Sequence, residues 1–255
     1  MIFDTHAHYK DEAFDKDRKE LLELLYNEGI SGVVEMAASV EDLDAALELA
    51  KQYDHVYAAL GIHPDECLNL TEENMEHIKE LAGNTKVVAI GEIGLDYYGE
   101  NKDSELQKKW FRRQLRLAKE LNLPVNVHSR DAAYDTMSVL KEEEFKGLRG
   151  IIHCFSYSLE MAREYVDMGY YIGVGGVVTF KNGKKLQSIV EDIPLERIVL
   201  ETDCPYLSPV PYRGRRNSSL YLTYVIDKIA DIRNIKYEEV EKVTYENALK
   251  VYGLK

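Results

Sequence analysis

Cysteine is scarce in this chain. Cys67, Cys154 and Cys204 are odd in number and far apart, with no Cys-x-x-Cys pair, which excludes a disulfide framework and a structural zinc knuckle. Proline is also rare, at 6 residues in 255, and no Gly-, Ser- or Pro-rich run marks a linker. No stretch approaches the roughly 20 apolar residues of a membrane span. The amino terminus carries Asp4, His6 and His8 where a secretory leader needs a basic start and an apolar run. Basic charge is in deficit: 32 Lys and Arg face 45 Asp and Glu, a net charge of −13. A field of that sign opposes a broad grip on duplex DNA, yet leaves room for a small positive cleft made by metal ions and a few arginines. These absences predict one cytoplasmic domain over residues 1–255, free of membrane, as a monomer or weak oligomer.

What the chain does have is a rhythm. β-rich runs at 2–5, 32–37, 56–60, 87–92, 124–128, 150–154, 170–174 and 197–203 alternate with amphipathic helical runs, among them 15–27, 40–53, 104–121, 132–144, 159–168 and 219–232. Ser39 is the expected N-cap of the second helix, and Thr71-x-x-Asn74 is an imperfect capping box for the third. A further helix is expected at 237–252. Eight strand-plus-helix units predict an α/β fold, a closed parallel (β/α)8 TIM barrel with a C-terminal helical extension; an open doubly wound sheet is the rival.

In such a barrel the reactive groups sit at the carboxyl ends of the strands. Strands one, four, five, six and eight end on His6 and His8, Glu92, His128, His153 and Asp203. A His-x-His pair by itself is weak, since 7 histidines in 255 residues give about 0.16 such pairs by chance. Four imidazoles and two carboxylates on one rim are hard to explain as packing, because unpartnered burial of each would cost several kcal/mol. Six donors are too many for one catalytic zinc and suit two ions sharing a carboxylate. The expectation is that His6, His8 and Asp203 hold one ion, His128 and His153 the other, with Glu92 bridging. Two ions about 3.5–4 Å apart can activate a shared water and clamp the attacking and leaving oxygens of a phosphodiester. Asp203 is expected to take the proton from that water, with Glu92 as its catalytic partner, and Glu201 to support the ligands or to lie buried in the barrel.

Six strings in order carry a resemblance: Thr5-His6-Ala7-His8, Gly61-Ile62-His63-Pro64, Gly91-Glu92-Ile93-Gly94-Leu95-Asp96-Tyr97, His128-Ser129-Arg130-Asp131-Ala132, His153-Cys154-Phe155-Ser156 and Glu201-Thr202-Asp203-Cys204-Pro205-Tyr206. The chain resembles, over essentially its whole length, the TatD family of metal-dependent deoxyribonucleases. The resemblance implies a (β/α)8 barrel and a two-metal nuclease using magnesium or manganese, with zinc compatible with the imidazoles. It also implies the same six ligands and 3′-5′ exonuclease trimming of single-stranded DNA, with RNA as a further substrate. Some relatives in this family hydrolyse a carboxylic ester instead, so a D-aminoacyl-tRNA deacylase on the same site is the alternative. A binding module on a decayed barrel is disfavoured because all six ligand positions are filled. The chain departs from the family pattern at Tyr157, at Asn217-Ser218-Ser219 where an Asn-acid-Pro string is usual, and at Cys204.

Other polar residues are candidates for substrate contact. His63 at the rim, Arg130 beside His128, Tyr157 and Arg213 are expected to bind substrate, the arginines because their forks fit phosphate oxygens. Arg215 and Arg216 complete one dense basic stretch with Arg213. Of the 18 tyrosines, Tyr97, Tyr157, Tyr206 and Tyr212 fall on rim loops where a base could stack. Asp96 is expected to order an arginine or a ligand. His55 and His77 are read as surface residues without a role.

Overall fold

The computed structural model describes residues 1–100 and 102–255. Eight parallel strands follow one another in space in sequence order. They are β1 (Ile2–Ala7), β2 (Ile30–Met36), β3 (Val56–Ala59), β4 (Val87–Asp96), β5 (Val125–Arg130), β6 (Gly150–Ile152), β7 (Tyr171–Val174) and β8 (Ile198–Leu200). Helices α1 (Arg18–Asn27), α2 (Asp42–Gln52), α3 (Glu72–Leu81), α4 (Ser104–Leu121), α5 (Ala133–Leu140), α6 (Leu159–Asp167), α7 (Lys184–Asp192) and α8 (Leu222–Arg233) each follow the strand of the same number, and α9 (Tyr237–Tyr252) extends the chain. The expected TIM barrel with its C-terminal helix is the observed architecture. No described helix is long and apolar enough to cross a membrane.

The local signals explain the element ends. Thr71 and Asn74 form a complete reciprocal capping box at α3, so the Asn does the work usually done by Glu or Gln. Ser39 is not the N-cap expected of it, since α2 starts after Glu41; its Oγ accepts from the Asp42 N–H and the Asp42 carboxylate accepts from Ser39 in return, which orders the turn just ahead of the helix. Two helices are shorter than their apolar patterns suggest. Ahead of α1, Glu12–Phe14 forms a tight 3-10 turn capped by Asp11, because Phe14 must bury its ring in the core. After α5 the chain breaks at Lys141 and a second such turn, Glu143–Phe145, buries Phe145.

Two apolar regions hold the barrel. One lies between the sheet and the surrounding helices. The other includes Phe3, Val34, Val88, Ile151, Tyr171 and Val199, covered by Ala248, Val251 and Tyr252 of α9. Phe3, Val88 and Tyr171 are the first or second residues of their strands, so α9 closes the amino-terminal end of the barrel and leaves the carboxyl end for chemistry. Tyr252 also reaches up the interior, donating to the Thr5 carbonyl at 2.9 Å.

Strand β4 corrects the expected topology of the rim. It does not stop at Glu92 but continues to Asp96, and its pairing shifts register between Ile90 and Ile93. A register break re-aims the side chain it brackets, which here is Glu92. Beyond it β4 runs against β5 so closely that a methyl group on Gly94, at φ 149°, would meet the His128 carbonyl oxygen at 1.9 Å. Only glycine fits that contact.

Candidate metal centre

The six expected donors come from five strands and meet at the carboxyl end of the barrel. All but the fully buried His6 border a cleft of about 450 Å³ whose wall also includes Lys10, Glu35, His63 and Tyr206. His6 and His8 project from the end of β1 with their Nε2 atoms 3.1 Å apart. Glu92 stands between two groups of imidazoles. Its Oε2 lies 3.3 Å from His6 Nε2 and 3.8 Å from His8 Nε2, whereas Oε1 lies 2.8 Å from His128 Nδ1 and 3.8 Å from His153 Nε2. Asp203 Oδ1 faces the first group, 3.7 Å from His6 and 3.4 Å from His8, and reaches His153 at 3.9 Å.

Three imidazoles are held at the nitrogen turned away from the centre. His6 Nδ1 contacts Asn126 Oδ1 at 3.2 Å, His128 Nε2 contacts Asp96 Oδ2 at 3.0 Å, and His153 Nδ1 contacts Glu201 Oε2 at 3.2 Å. Such outer partners fix the ring and its tautomer. Glu201 is thus both buried and in contact with a candidate ligand, uniting its two expected readings. Asp96 orders an imidazole, and among the described residues it has no ion pair with an arginine.

The electrostatics are those of a charged, largely buried site. Burial would push the Glu92 carboxyl up, but His6 and His128 hold it well below the usual range. Asp203 is likewise lowered against its burial by His8 and His153. Burial disfavours the imidazolium of His8 and His128, yet neighbouring carboxylates raise them to about 9 and about 10. Glu35, pushed up to about 7 by burial and only partly restrained by His8, accepts from the Tyr9 and Lys10 backbone N–H groups and so pins the loop carrying His8.

The donor set fits divalent cations: imidazole nitrogens, two of them 3.1 Å apart, converge with carboxylate oxygens in a combination that suits magnesium, manganese or zinc. Donor atoms of His6, His8 and Asp203 fall within 4.8 Å of one another, and so do those of His63, Glu92 and His128. The second group departs from the expected pairing of His128 with His153, whose rings lie 6.3 Å apart. His153 stacks on His6 instead, with centroids 3.5 Å apart. His63 was expected to touch substrate and not metal. Its place after β3, at the end of a strand like the others, was the available signal. Asn126 and Glu35 were missed as well, although a polar residue two before His128 and a lone acid inside an apolar strand both marked them.

The expected substrate contacts fare differently. Arg130 is exposed and lies over the Tyr98 ring at 3.7 Å, and Arg213, also exposed, lies over Phe180 at 3.7 Å. Tyr157 turns inward: its hydroxyl contacts Ser129 Oγ and the Ala132 N–H, and its ring meets Phe155 edge-on. Tyr212 stacks on Tyr221 and Tyr97 donates to Asp135. Tyr206 keeps an exposed ring at the cleft, with its hydroxyl on Asp11. Arg216 is paired with Asp17, and Arg215 lies near the Tyr212 ring. His77 pairs with Asp44 on the surface, whereas His55 is buried beside Tyr26 and Tyr53, contrary to its surface reading.

Comparison with known proteins agrees with this geometry. The family model described as TatD related DNase matches residues 3–253. YabD of Bacillus subtilis, named as a metal-dependent hydrolase, is 44% identical over 254 residues, covering 100% of both chains. YcfH of Escherichia coli K12, also named as a metal-dependent hydrolase, is 33% identical, with 100% of this chain and 96% of its own length covered. The crystal structure of YjjV, a TatD homologue from E. coli K12, superposes with a TM-score of 0.93 at 30% identity, covering 100% of this chain and 98% of that one.

Proposed function

The chain belongs to the TatD-related DNase family, and from that premise we propose that it is a metal-dependent phosphodiesterase, a deoxyribonuclease that trims single-stranded DNA from the 3′ end and accepts RNA. The observation that carries the reading is the division of labour at Glu92, whose two oxygens face separate groups of imidazoles. His6, His8 and Asp203 would hold one divalent cation and His128, with His63 or His153, a second, Glu92 serving both. Bound there, two magnesium or manganese ions, or zinc, would supply Lewis acidity toward the phosphate and lower the pKa of water.

The chain's own groups do the rest. Asp203, ionised and at the edge of the cleft, would accept the proton from the attacking water at the carboxylate oxygen left free when Oδ1 holds a cation. Asn126, Asp96 and Glu201 keep His6, His128 and His153 in fixed orientations, so little reorganisation is needed during reaction. Lys10, Arg130 and Arg213 offer positive charge near the mouth of an otherwise acidic protein, enough for a few phosphates and too little for extended duplex. Tyr206 offers an exposed ring to an unpaired base. The free state of all three cysteines supports a reducing, cytoplasmic location. The continuous barrel supports action as one domain.

The test compares manganese-loaded protein on 5′-labelled single-stranded DNA and on D-aminoacyl-tRNA. Stepwise shortening of the DNA is expected. Deacylation without shortening would reassign the site to carboxylic esters, and two bound cations with neither reaction would make the protein a binding module.

A further inference from the structure

We propose that Asp4 and Ser219 are a positioning pair that sets the spacing of His6 and Asp203 across the seam where the barrel closes. The inference rests on the reading of His6, His8 and Asp203 as one half of a two-cation centre.

The seam between β8 and β1 has little backbone ladder. β8 is three residues long, and a single bridge joins Ala7 to Cys204. Around it, Asp203 N–H donates to the His6 carbonyl at 3.0 Å and His8 N–H to the Cys204 carbonyl at 2.9 Å. The candidate donors are therefore themselves the stitches. What fixes them from behind is the Asp4 carboxylate. Its Oδ1 accepts from the His6 N–H at 3.2 Å and the Thr202 N–H at 3.0 Å. Its Oδ2 accepts from Thr202 Oγ1 and from Ser219 Oγ, each at 2.6 Å.

The donor directions form one consistent chain. The Ser219 hydroxyl spends its one proton on Asp4, so the Tyr9 hydroxyl, which accepts from the Ser219 N–H at 2.9 Å, donates to Ser219 Oγ, 2.8 Å away. Asp4 is fully buried and, among the described residues, makes no ion pair. A buried carboxylate normally has a cationic partner; this one is satisfied by four hydrogen bonds from residues on both sides of the seam. Thr202 and Cys204 flank Asp203, which is held at φ 55°, in the left-handed region that aspartate adopts more readily than most side-chain-bearing residues.

An amide at position 4 has one acceptor oxygen for four donors, so Asp4→Asn should loosen the seam without changing its volume. Titration of manganese followed by calorimetry, with melting of the metal-free protein in parallel, reads the effect. Wild type is expected to bind two ions. Asp4→Asn should keep one at wild-type affinity and lose about 10–100-fold on the other. Ser219→Ala, which removes one bond and should leave the fold intact, is expected to lose about tenfold on that same ion, and it decides the matter should Asp4→Asn not fold. If wild type binds two ions and Ser219→Ala binds both equally tightly, with or without a lower melting temperature, the pair is merely structural and this inference fails. If wild type does not bind two ions, the proposed function falls first and takes this inference with it.

Discussion

Replacing Glu201 by glutamine keeps the volume of a buried side chain and removes one acceptor. The two Glu201 oxygens serve His153 Nδ1 at 3.2 Å and the Cys154 N–H at 2.6 Å. The single oxygen of the amide should keep the shorter bond, turning its NH2 group toward His153 Nδ1. His153 then accepts at Nδ1 and carries its proton on Nε2, the nitrogen that faces Glu92 and Asp203 at 3.8 and 3.9 Å. A protonated nitrogen cannot bind a cation. Loss of an outer partner of this kind costs about 10–100-fold in metal affinity or activity, equivalent to about 1.4–2.7 kcal/mol. A second perturbation reaches the same carboxylate from the other side, because a methyl group at Gly173 would sit 2.2 Å from Glu201 Oε2. Glu201→Gln and Gly173→Ala are both expected to weaken manganese binding by calorimetry and to slow hydrolysis, with the circular dichroism spectrum retained. Wild-type affinity in both variants would refute the argument that Glu201 sets the His153 tautomer.

Asp203→Asn should lower turnover about 10²–10⁴-fold, the usual worth of a proton acceptor, with the fold intact; a wild-type rate at normal metal content would remove Asp203 from the reaction. His8 and His128, raised to about 9 and about 10, stabilise the metal-free fold fully below pH 6.5, and that contribution is lost as pH climbs through those values. The melting temperature in chelator should therefore fall over that range. Cations must displace both protons, so apparent affinity should rise with pH, and calorimetry at pH 7 in buffers of different ionisation enthalpy should detect release of about two protons. Release near zero would count against both imidazoles as donors. Arg130→Ala should raise KM for single-stranded DNA, leave kcat unchanged and reduce the salt dependence of binding by about one unit of log–log slope; an unchanged slope would place Arg130 away from phosphate.

The strand-and-helix rhythm and the chemistry at strand ends were legible because both depend on short-range pattern. His6 and His8, two residues apart, already declare a shared direction, and Thr71 with Asn74 declares a helix start. Side-chain use at the rim was less legible. Tyr157 looked available for stacking, yet its hydroxyl is taken by Ser129 and Ala132, partners on a neighbouring strand and loop. His55 looked exposed but is buried beside Tyr26, a ring brought in from the end of α1, and beside its own neighbour Tyr53.

The alternation of eight apolar strands with amphipathic helices was enough to favour a barrel over an open doubly wound sheet, and local pattern set which residue types reach the rim. Tertiary structure alone decided how those residues are grouped. The register break in β4 turns Glu92 inward, the close contact at Gly94 brings Asp96 to His128, and the sparse seam at β8 leaves Asp4 to tie His6 to Asp203. These are distances between segments far apart in the chain, set by backbone register and packing, and no local pattern of residues encodes them.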